Sequence, residues 1–263
     1  MKAVIPAAGL GTRFRPLTLA VPKELLPVNR KPMVQLAVEE ALLSDIRDIG
    51  IVIRRGKEVI RDYINSLMTS SDPTRKNLRQ KFSHARVHYI FQEKPLGLGN
   101  AIYEAREYID DSPFVMIIPD QFVDSRVPAT KQLLDAVDKD VQAVWSSLTV
   151  VSPGEREYFS SARSFLLTNR QGNTWEVKTI VEHSQSQSGE TILGFGRTYF
   201  PQGVIEFFSD RYMNPVTREV DLLLTFKALI KKYRNHAVML EGKSMDFGTW
   251  DGYEHFFLSC GKL

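Results

Sequence analysis

The stretch that decides the fold is Ala3–Met33, AVIPAAGLGTRFRPLTLAVPKELLPVNRKPM. It opens on the apolar run Ala3–Ile5, which is typical of a buried strand, and continues through small residues into a segment that carries Arg13 and Lys23. Small side chains let a backbone approach a ligand closely, and consecutive backbone N–H groups can hold phosphate oxygens. A loop that adds a guanidinium fork and a mobile ammonium group is suited to anionic chemistry.

Two common phosphate-binding loops can be excluded for this segment. A dinucleotide-binding loop requires G-x-G-x-x-G, but Phe14 stands where the third glycine should be. A P-loop requires G-x-x-x-x-G-K-[ST] before a helix, whereas Pro16 and Pro22 are expected to keep this segment extended. The segment therefore predicts neither a dehydrogenase of the dinucleotide-binding type nor a P-loop enzyme.

Length and composition narrow the class of protein. The 263 residues suffice for one α/β domain with a large core, and 43% hydrophobic with 25% charged residues is ordinary for a globular protein. The net charge of +3 is too small to indicate a nucleic-acid partner, and the lack of any 18-residue apolar run predicts no membrane span. The single cysteine, Cys260, excludes an internal disulfide framework and fits a reducing compartment, so we expect a cytoplasmic protein.

Hydrophobic periodicity predicts alternating strands and helices in the first half of the chain, which is typical of a doubly wound parallel sheet. After Gln142 the pattern changes to longer strands joined by turns. We therefore predict a Rossmann-like α/β fold with a mostly parallel mixed sheet. The predicted strands are 3–5, 49–53, 87–91, 114–118, 142–150, 164–168, 175–182, 192–200 and 237–241. The predicted helices begin after Pro32 and cover 57–68, 98–109, 201–209 and 217–232, followed by a last helix with Asp251 as its expected N-cap.

The residues from Gly9 to Val28 form the pattern G-L-G-T-R-x-x-P-L-T-x-x-x-P-K-E-L-L-P-V. This pattern closely resembles the opening of the sugar-1-phosphate nucleotidyltransferases, and among them the bacterial UTP–glucose-1-phosphate uridylyltransferases. The match is long and ungapped, so it is more specific than a glycine pair; the alternative is a Gly/Pro-rich surface loop with incidental cations. The resemblance implies a nucleotide-diphospho-sugar transferase fold in which residues 1–263 form one domain, with a nucleotide-binding half (1–140) and a sugar-binding half (141–263).

The resemblance also implies a reaction. A sugar-1-phosphate oxygen attacks the α-phosphorus of a nucleoside triphosphate, pyrophosphate leaves, and a nucleotide-sugar is formed. Because the nucleophile is already an anion, the obstacle is to bring two polyanions together and to stabilise charge at the reacting phosphorus. Arg13, Lys23 and Mg²⁺ would supply the positive charge, with Arg13 holding the departing phosphates and Lys23 bridging those that react, so both side chains are candidate catalytic residues.

Nucleotide contacts are implied for two turns. Small residues after the first strand would cradle the phosphates, and Gln92 with Gly97 would read the edge of a pyrimidine base, because a side-chain amide offers both a donor and an acceptor. The alternative is that Gln92 only ends a strand. The implied nucleotide-binding residues are Ala7, Ala8, Gly9, Gly11, Thr12, Gln92 and Gly97.

Two acidic residues are implied as ligands of Mg²⁺. Asp120 follows the apolar strand 114–118, at the carboxyl end where open α/β sheets bind ligands. Asp246 lies in Gly242–Gly248, GKSMDFG, which resembles the late G-K-S-x-D-x-G stretch of the family. Mg²⁺ prefers carboxylate oxygens together with phosphate oxygens and water. The alternative for each acid is a residue that only shapes a turn.

The sugar side departs from the family pattern. The family's V-E-K-P corresponds to Val181–Ser184, V-E-H-S, so Glu182 is kept for the sugar hydroxyls while His183 replaces the lysine that holds the sugar phosphate. A neutral imidazole grips phosphate less firmly than an ammonium group. Residues 219–224, EVDLLL, also differ from the family's E-I-Q-L-T-D. The implied sugar-phosphate-binding residues are Glu182, His183 and Gly196.

We therefore expect an enzyme that joins glucose-1-phosphate to UTP. Two alternatives stay open: a dTTP-dependent thymidylyltransferase, whose nucleotide differs by one methyl group, and a catalytically weakened nucleotide-sugar-binding relative with a regulatory role. The expected partners are a nucleoside triphosphate and a sugar-1-phosphate, and the family also makes a homo-oligomer a reasonable expectation. The basic segment Thr69–Arg86 is assigned no role.

Overall fold

The computed structural model describes residues 1–69, 80–159, 162–181 and 190–260. The strands are β1 Lys2–Pro6, β2 Pro27–Val28, β3 Lys31–Pro32, β4 Asp48–Ile53, β5 Arg86–Phe91, β6 Phe114–Ile117, β7 Gln121–Asp124, β8 Val144–Val151, β9 Ser164–Gln171, β10 Thr174–Val181, β11 Thr191–Phe200, β12 Asn235–Met239 and β13 Lys243–Asp246. The helices are α1 Met33–Leu43, α2 Glu58–Thr69, α3 Gly97–Glu104, α4 Arg106–Ile109, α5 Ala129–Val137, α6 Leu222–Lys232 and α7 Trp250–Cys260.

A mixed main sheet organises the chain, in the order β5-β4-β1-β6-β11-β8-β12-β10-β9. The pairings from β5 to β6 are parallel, β11 runs antiparallel to both of its neighbours, and β12 is again parallel to β8. The sheet runs through both halves that the sequence distinguishes. The predicted doubly wound α/β fold with a mixed sheet is confirmed.

Helices cover both faces of the sheet because successive strand residues point to opposite sides. In β1, Ala3 and Ile5 join one apolar cluster while Val4 joins the other. The first cluster packs against α1, α2 and α5, and the second against α3, α4 and α6. The central strands are therefore buried on both faces, as their continuous apolar runs require.

Three of the helix predictions are wrong: the start of one helix, the existence of another and the N-cap of the last. The predicted helix 217–232 begins at Leu222, because Met213 bridges to Val220 and the backbone N–H of Asn214 bonds the carbonyl of Glu219, which commits this segment to a turn. Residues 201–209 contain only a 3₁₀ turn, Ile205–Phe208. Asp251 is not an N-cap, since the last helix already begins at Trp250, whose ring packs on Phe14.

The expected extended segment around Pro16 and Pro22 is in fact a series of 3₁₀ turns, at Thr12–Phe14, Leu17–Leu19 and Lys23–Leu25. Prolines prevent an α-helix here but permit short turns, which fold the segment back over the ends of the strands. In the described ranges, no helix is long and apolar enough to cross a membrane.

Candidate active site

A cavity of about 690 Å³ opens at the carboxyl ends of the parallel strands. Its wall is built from the segments that follow β1, β5 and β6, and from the residues around the start of α6. The edge where parallel strands end is where open α/β sheets bind ligands, because the loops that leave neighbouring strands meet there. This cavity is therefore the candidate active site.

The turn after β1 forms one end of the cavity, which we call the phosphate end. Ala8, Gly9, Gly11, Thr12 and Arg13 all line it. Gly11 has a φ of +66°, so the turn uses the left-handed conformation that favours glycine, and a Cβ there would press on Cγ2 of Thr18 at 3.0 Å. Close approach of the backbone to a ligand is possible at this turn.

Two neighbours of this turn serve to hold it in place. The N–H of Ala7 donates to the carbonyl of Val52 at 2.7 Å, and the carbonyl of Ala7 accepts from Lys57 Nζ at 3.0 Å, so Ala7 supports the turn from behind the cavity wall. Phe14 is fully buried against Trp250 and Tyr253, with ring centroids 5.1 and 6.2 Å away. The residue that excluded a dinucleotide loop thus anchors the turn to α7.

Lys23 and Asp120 form an ion pair across the phosphate end, with the Lys23 ammonium group donating to Oδ2 of Asp120. Burial would lower the pKa of Lys23, but the charges of Asp120, Glu24 and Asp246 and the hydrogen bond to Asp120 together raise it above 10.5. Burial would likewise raise the pKa of Asp120, but Lys23 and, less strongly, Arg13 hold it below 3.8. Both groups are therefore charged at neutral pH.

Asp246 reaches the same place from the other end of the sequence. The short antiparallel pair β7–β13 sets Asp246 opposite Gln121, whose Nε2 donates to Oδ2 of Asp246 at 3.0 Å. The N–H of Gly248 donates to Oδ1 of Asp246 at 2.8 Å. A Cβ at Gly248 would lie 2.9 Å from Oδ1 of Asp246 and 3.4 Å from Oδ2 of Asp120, so the two carboxylates converge on one glycine.

This pair of carboxylates fits Mg²⁺. Asp120 lines the cavity, and Asp246 is buried next to it beside Gly248. Two neighbouring carboxylates offer the hard oxygen ligands that Mg²⁺ combines with phosphate oxygens and water. No group of three or more His, Cys, Asp or Glu within the described ranges forms an alternative metal centre. The structure thus brings Arg13, Lys23, Asp120 and Asp246 to one end of the cavity, and their individual roles stay predictions.

Gln92 and Gly97 lie together on the wall where a base is expected. Nε2 of Gln92 donates to the carbonyl of Gly97 at 3.0 Å and to Oδ1 of Asn100 at 2.7 Å, so this amide nitrogen is engaged within the protein. Gly97 has a φ of +89°, and a Cβ there would lie 2.8 Å from Cβ of Glu219. The sequence did not indicate the contact between these turns, because Glu219 is more than a hundred residues away.

Gly196 also lines the cavity, beside the turn that carries Asp120. Its φ is +20°, and a Cβ there would lie 2.5 Å from Oε1 of Gln121. Glu182 and His183 lie outside the described residues. Arg163, a cation of the cavity wall, was not singled out from the sequence, because no motif marks it. The cavity wall further includes Ser146, Phe165, Ile180, Gly194, Thr198 and Phe226.

The sequence of the chain is similar to those of known enzymes. The chain is 34% identical over 255 residues to the UTP–glucose-1-phosphate uridylyltransferase YngB of Bacillus subtilis (strain 168), an alignment that covers 94% of this chain and 84% of the relative. It is 32% identical over 265 residues to a second UTP–glucose-1-phosphate uridylyltransferase of that organism, covering 96% and 88%.

Solved structures give the same result. A crystal structure of apo UDP-glucose pyrophosphorylase and one of the complex with UDP-glucose each superpose with a TM-score of 0.85 at 26% identity, covering 99% of this chain and 98% of the other. The family model described as nucleotidyl transferase matches residues 2–260. The resemblance predicted from Gly9–Val28 is confirmed over nearly the whole length, and the chain belongs to the nucleotidyl transferase family.

Proposed function

We propose that this protein transfers the uridylyl group of UTP to glucose-1-phosphate, with release of pyrophosphate and formation of UDP-glucose. The observation that carries the proposal is the phosphate end of the cavity, where Lys23, Asp120 and Asp246 converge beside a glycine turn. The named relatives and the superposed pyrophosphorylases, including the one complexed with UDP-glucose, support UTP and glucose-1-phosphate as the substrate pair.

The chemistry requires positioning and positive charge. The phosphate oxygen of glucose-1-phosphate attacks the α-phosphorus of UTP, and the bond from that phosphorus to the pyrophosphate oxygen breaks. The nucleophile is ionised at neutral pH, so no side chain has to remove a proton. The protein has to align two polyanions and to offset the charge that accumulates at phosphorus.

Each charged side chain of the phosphate end has a proposed role. Lys23 bridges the reacting phosphates, and its raised pKa keeps the ammonium group charged. Arg13 holds the departing pyrophosphate, for which a guanidinium fork is well shaped. Asp120 and Asp246 would hold Mg²⁺, which when bound would neutralise phosphate charge. The ammonium group of Lys23 also pairs with Asp120, which ties the two roles together.

The remaining contacts follow from the family. The backbone around Ala8, Gly9, Gly11 and Thr12 would receive the triphosphate, Gln92 and Gly97 the base, and Glu182, His183 and Gly196 the sugar phosphate. We propose that the two halves of the chain act as one domain around this cavity. The single cysteine of the chain is consistent with a cytoplasmic location.

Pyrophosphate release tests the proposal. Wild-type protein should release pyrophosphate only when UTP, glucose-1-phosphate and Mg²⁺ are all present, and more slowly when dTTP replaces UTP. Faster release with dTTP would instead make the protein a thymidylyltransferase. Nucleotide binding without release under any condition would indicate a binding relative and would contradict the proposal.

The Asp120→Asn variant tests the site itself, because it removes one proposed ligand charge at nearly constant shape. We expect metal-dependent release to fall sharply. Undiminished release in this variant would exclude Asp120 from the proposed metal site.

A further inference from the structure

Arg197 is a fully buried cation that the proposed reaction does not use. Arg197 follows Gly196 in β11 and is only 2% exposed. A guanidinium group without access to water must be compensated by partners, because an isolated buried charge is very costly. The partners of Arg197 therefore indicate what the residue is for.

One side of the guanidinium group is fixed to α1. Nε of Arg197 donates to Oε1 of Glu40 at 2.8 Å, and Nη2 donates to the second oxygen of the same carboxylate. Glu40 also accepts from the N–H of Thr130 at 2.9 Å and from its hydroxyl at 2.6 Å. A two-pronged pair of this kind fixes the plane of the guanidinium group as well as its position.

The other side of the guanidinium group spans the turn that carries Asp120. Nη1 donates to the carbonyl of Gln121 at 2.6 Å and to the carbonyl of Ile118 at 3.3 Å, so it grips the chain on both sides of Pro119 and Asp120. The N–H of Ile118 donates to the carbonyl of Gly196 at 2.8 Å, which adds a backbone tie to the same strand.

The same contacts extend to the second carboxylate. The backbone of Gln121 is held by Arg197 while its side chain donates to Asp246. A continuous series of hydrogen bonds thus runs from Glu40 through Arg197 and Gln121 to Asp246, with Asp120 within the spanned turn. Arg197 is absent from the cavity wall formed by the described residues, so it acts through these residues and not on a substrate.

Stability alone is a weak explanation for this arrangement. Replacing a buried ion pair by apolar side chains of similar volume is often neutral or stabilising. Partners that orient metal ligands, in contrast, typically change metal affinity when they are removed. We infer that Arg197 is a positioning residue that sets the separation of Asp120 and Asp246, and thereby the affinity of this pair for a divalent cation; the inference rests on the metal site of the proposed function.

Binding of Mn²⁺ tests the inference without any turnover. The electron paramagnetic resonance signal of free Mn²⁺ would be followed during titration of wild-type protein, Arg197→Met and Arg197→Lys, each without and with UTP. We expect Arg197→Met to weaken Mn²⁺ binding by about 10- to 100-fold and Arg197→Lys to restore part of it, since an ammonium group can replace only some of the bonds. The activation constant for Mg²⁺ should rise by a similar factor, while kcat at saturating Mg²⁺ should change less.

Glu39→Gln is the matched control. Glu39 is the neighbour of Glu40 in α1, is also buried, and pairs with Lys31 and Lys81 away from the turn. It should bind Mn²⁺ as the wild type does. If Arg197→Met fails to fold, as judged by circular dichroism, Arg197→Lys decides instead, because it keeps a buried positive charge beside Glu40 and loses part of the grip on the Asp120 turn.

Wild-type Mn²⁺ affinity in a folded Arg197→Met protein, or in Arg197→Lys where that substitute is needed, would overturn the inference. So would an equal loss in Glu39→Gln. Wild-type protein that binds Mn²⁺ in an Arg197-dependent way but releases no pyrophosphate would contradict the proposed reaction and leave the role of Arg197 established.

Discussion

Two lysine–carboxylate pairs lie on opposite sides of the 3₁₀ turn Lys23–Leu25. Lys23 pairs with Asp120 at the wall of the cavity, where the two side chains are 20% and 12% exposed. Lys57 pairs with Glu24 at 2.7 Å inside the protein, where they are 5% and 1% exposed. Lys23 and Glu24 are adjacent in sequence, so one short turn contributes to both pairs.

The pKa values of the two lysines shift in opposite directions. Burial is the largest influence on each and lowers the pKa of both. For Lys23, the acids Asp120, Glu24 and Asp246 outweigh it and raise the pKa, whereas for Lys57 the attraction of Glu24 is insufficient and the pKa stays lowered. Three acids thus offset the burial of the Lys23 ammonium group beside the cavity. The deeply buried pair of Lys57 and Glu24 instead supports the turn after β1, because Lys57 Nζ also donates to the carbonyl of Ala7.

The largest expected effect is on stability and comes from Lys57→Met. Removing the lysine leaves the Glu24 carboxylate buried without its partner, which should cost about 3–5 kcal/mol of unfolding free energy. Urea denaturation followed by circular dichroism measures this cost. The control is the double variant Lys57→Met with Glu24→Leu, which removes both charges and should regain most of the loss. Wild-type stability in the single variant would contradict the structural role of the pair.

Lys23→Met should instead affect turnover. Loss of a preorganised cation at the reacting phosphates should lower kcat by about 10²–10³, while the fold persists because Asp120 borders the cavity and can be reached by water or a metal ion. Pyrophosphate release and the melting temperature would be measured together. Lys31→Met, in the same segment but paired with Glu39, is the control that should keep its activity. Normal turnover in Lys23→Met would exclude Lys23 from the reaction and leave both pairs with a structural role only.

A smaller effect is expected from Gly248→Ala. The new Cβ would lie 2.9 Å from Oδ1 of Asp246, so the carboxylate has to shift, and the Mg²⁺ concentration for half-maximal activity should rise about tenfold. Gly154→Ala is the control, because a Cβ there meets nothing within 4 Å. An unchanged Mg²⁺ requirement in Gly248→Ala would show that the two carboxylates do not share an ion beside this glycine.

The smallest effect is a difference in pH dependence. The folded-state pKa of Lys57 is below 10.5, so between that pKa and 10.5 the unfolded chain binds more protons and the stability contributed by Lys57 rises with pH. The folded-state pKa of Lys23 is above 10.5, so its contribution is lost only as pH rises beyond that value. Urea denaturation from neutral pH to about 10.5 should show the gap between wild type and Lys57→Met widening, and the gap to Lys23→Met staying constant.

Much of the site could be predicted because its signals are local. The apolar run before Asp120 predicts an acid just after a strand, and the structure places Asp120 three residues after β6. The G-K-S-x-D-x-G stretch marks Asp246 without predicting a strand there, and in the structure Asp246 is the last residue of β13. Their convergence on Gly248 could not be read from spacing. It depends on the antiparallel pairing of β7 with β13, a contact between segments more than a hundred residues apart.

The sequence by itself determined the family, the alternation of strands and helices, and which charged residues to expect near the turn after β1. These follow from short-range patterns: apolar periodicity, small residues after a strand, and one long ungapped motif. Only the tertiary structure decided that Phe14 anchors the turn after β1 to α7, that Lys57 pairs with Glu24, and that Arg197 holds the turn that carries Asp120. Each of these depends on which distant group a buried side chain meets, because a buried charge or ring takes its role from its surroundings and not from its neighbours in sequence.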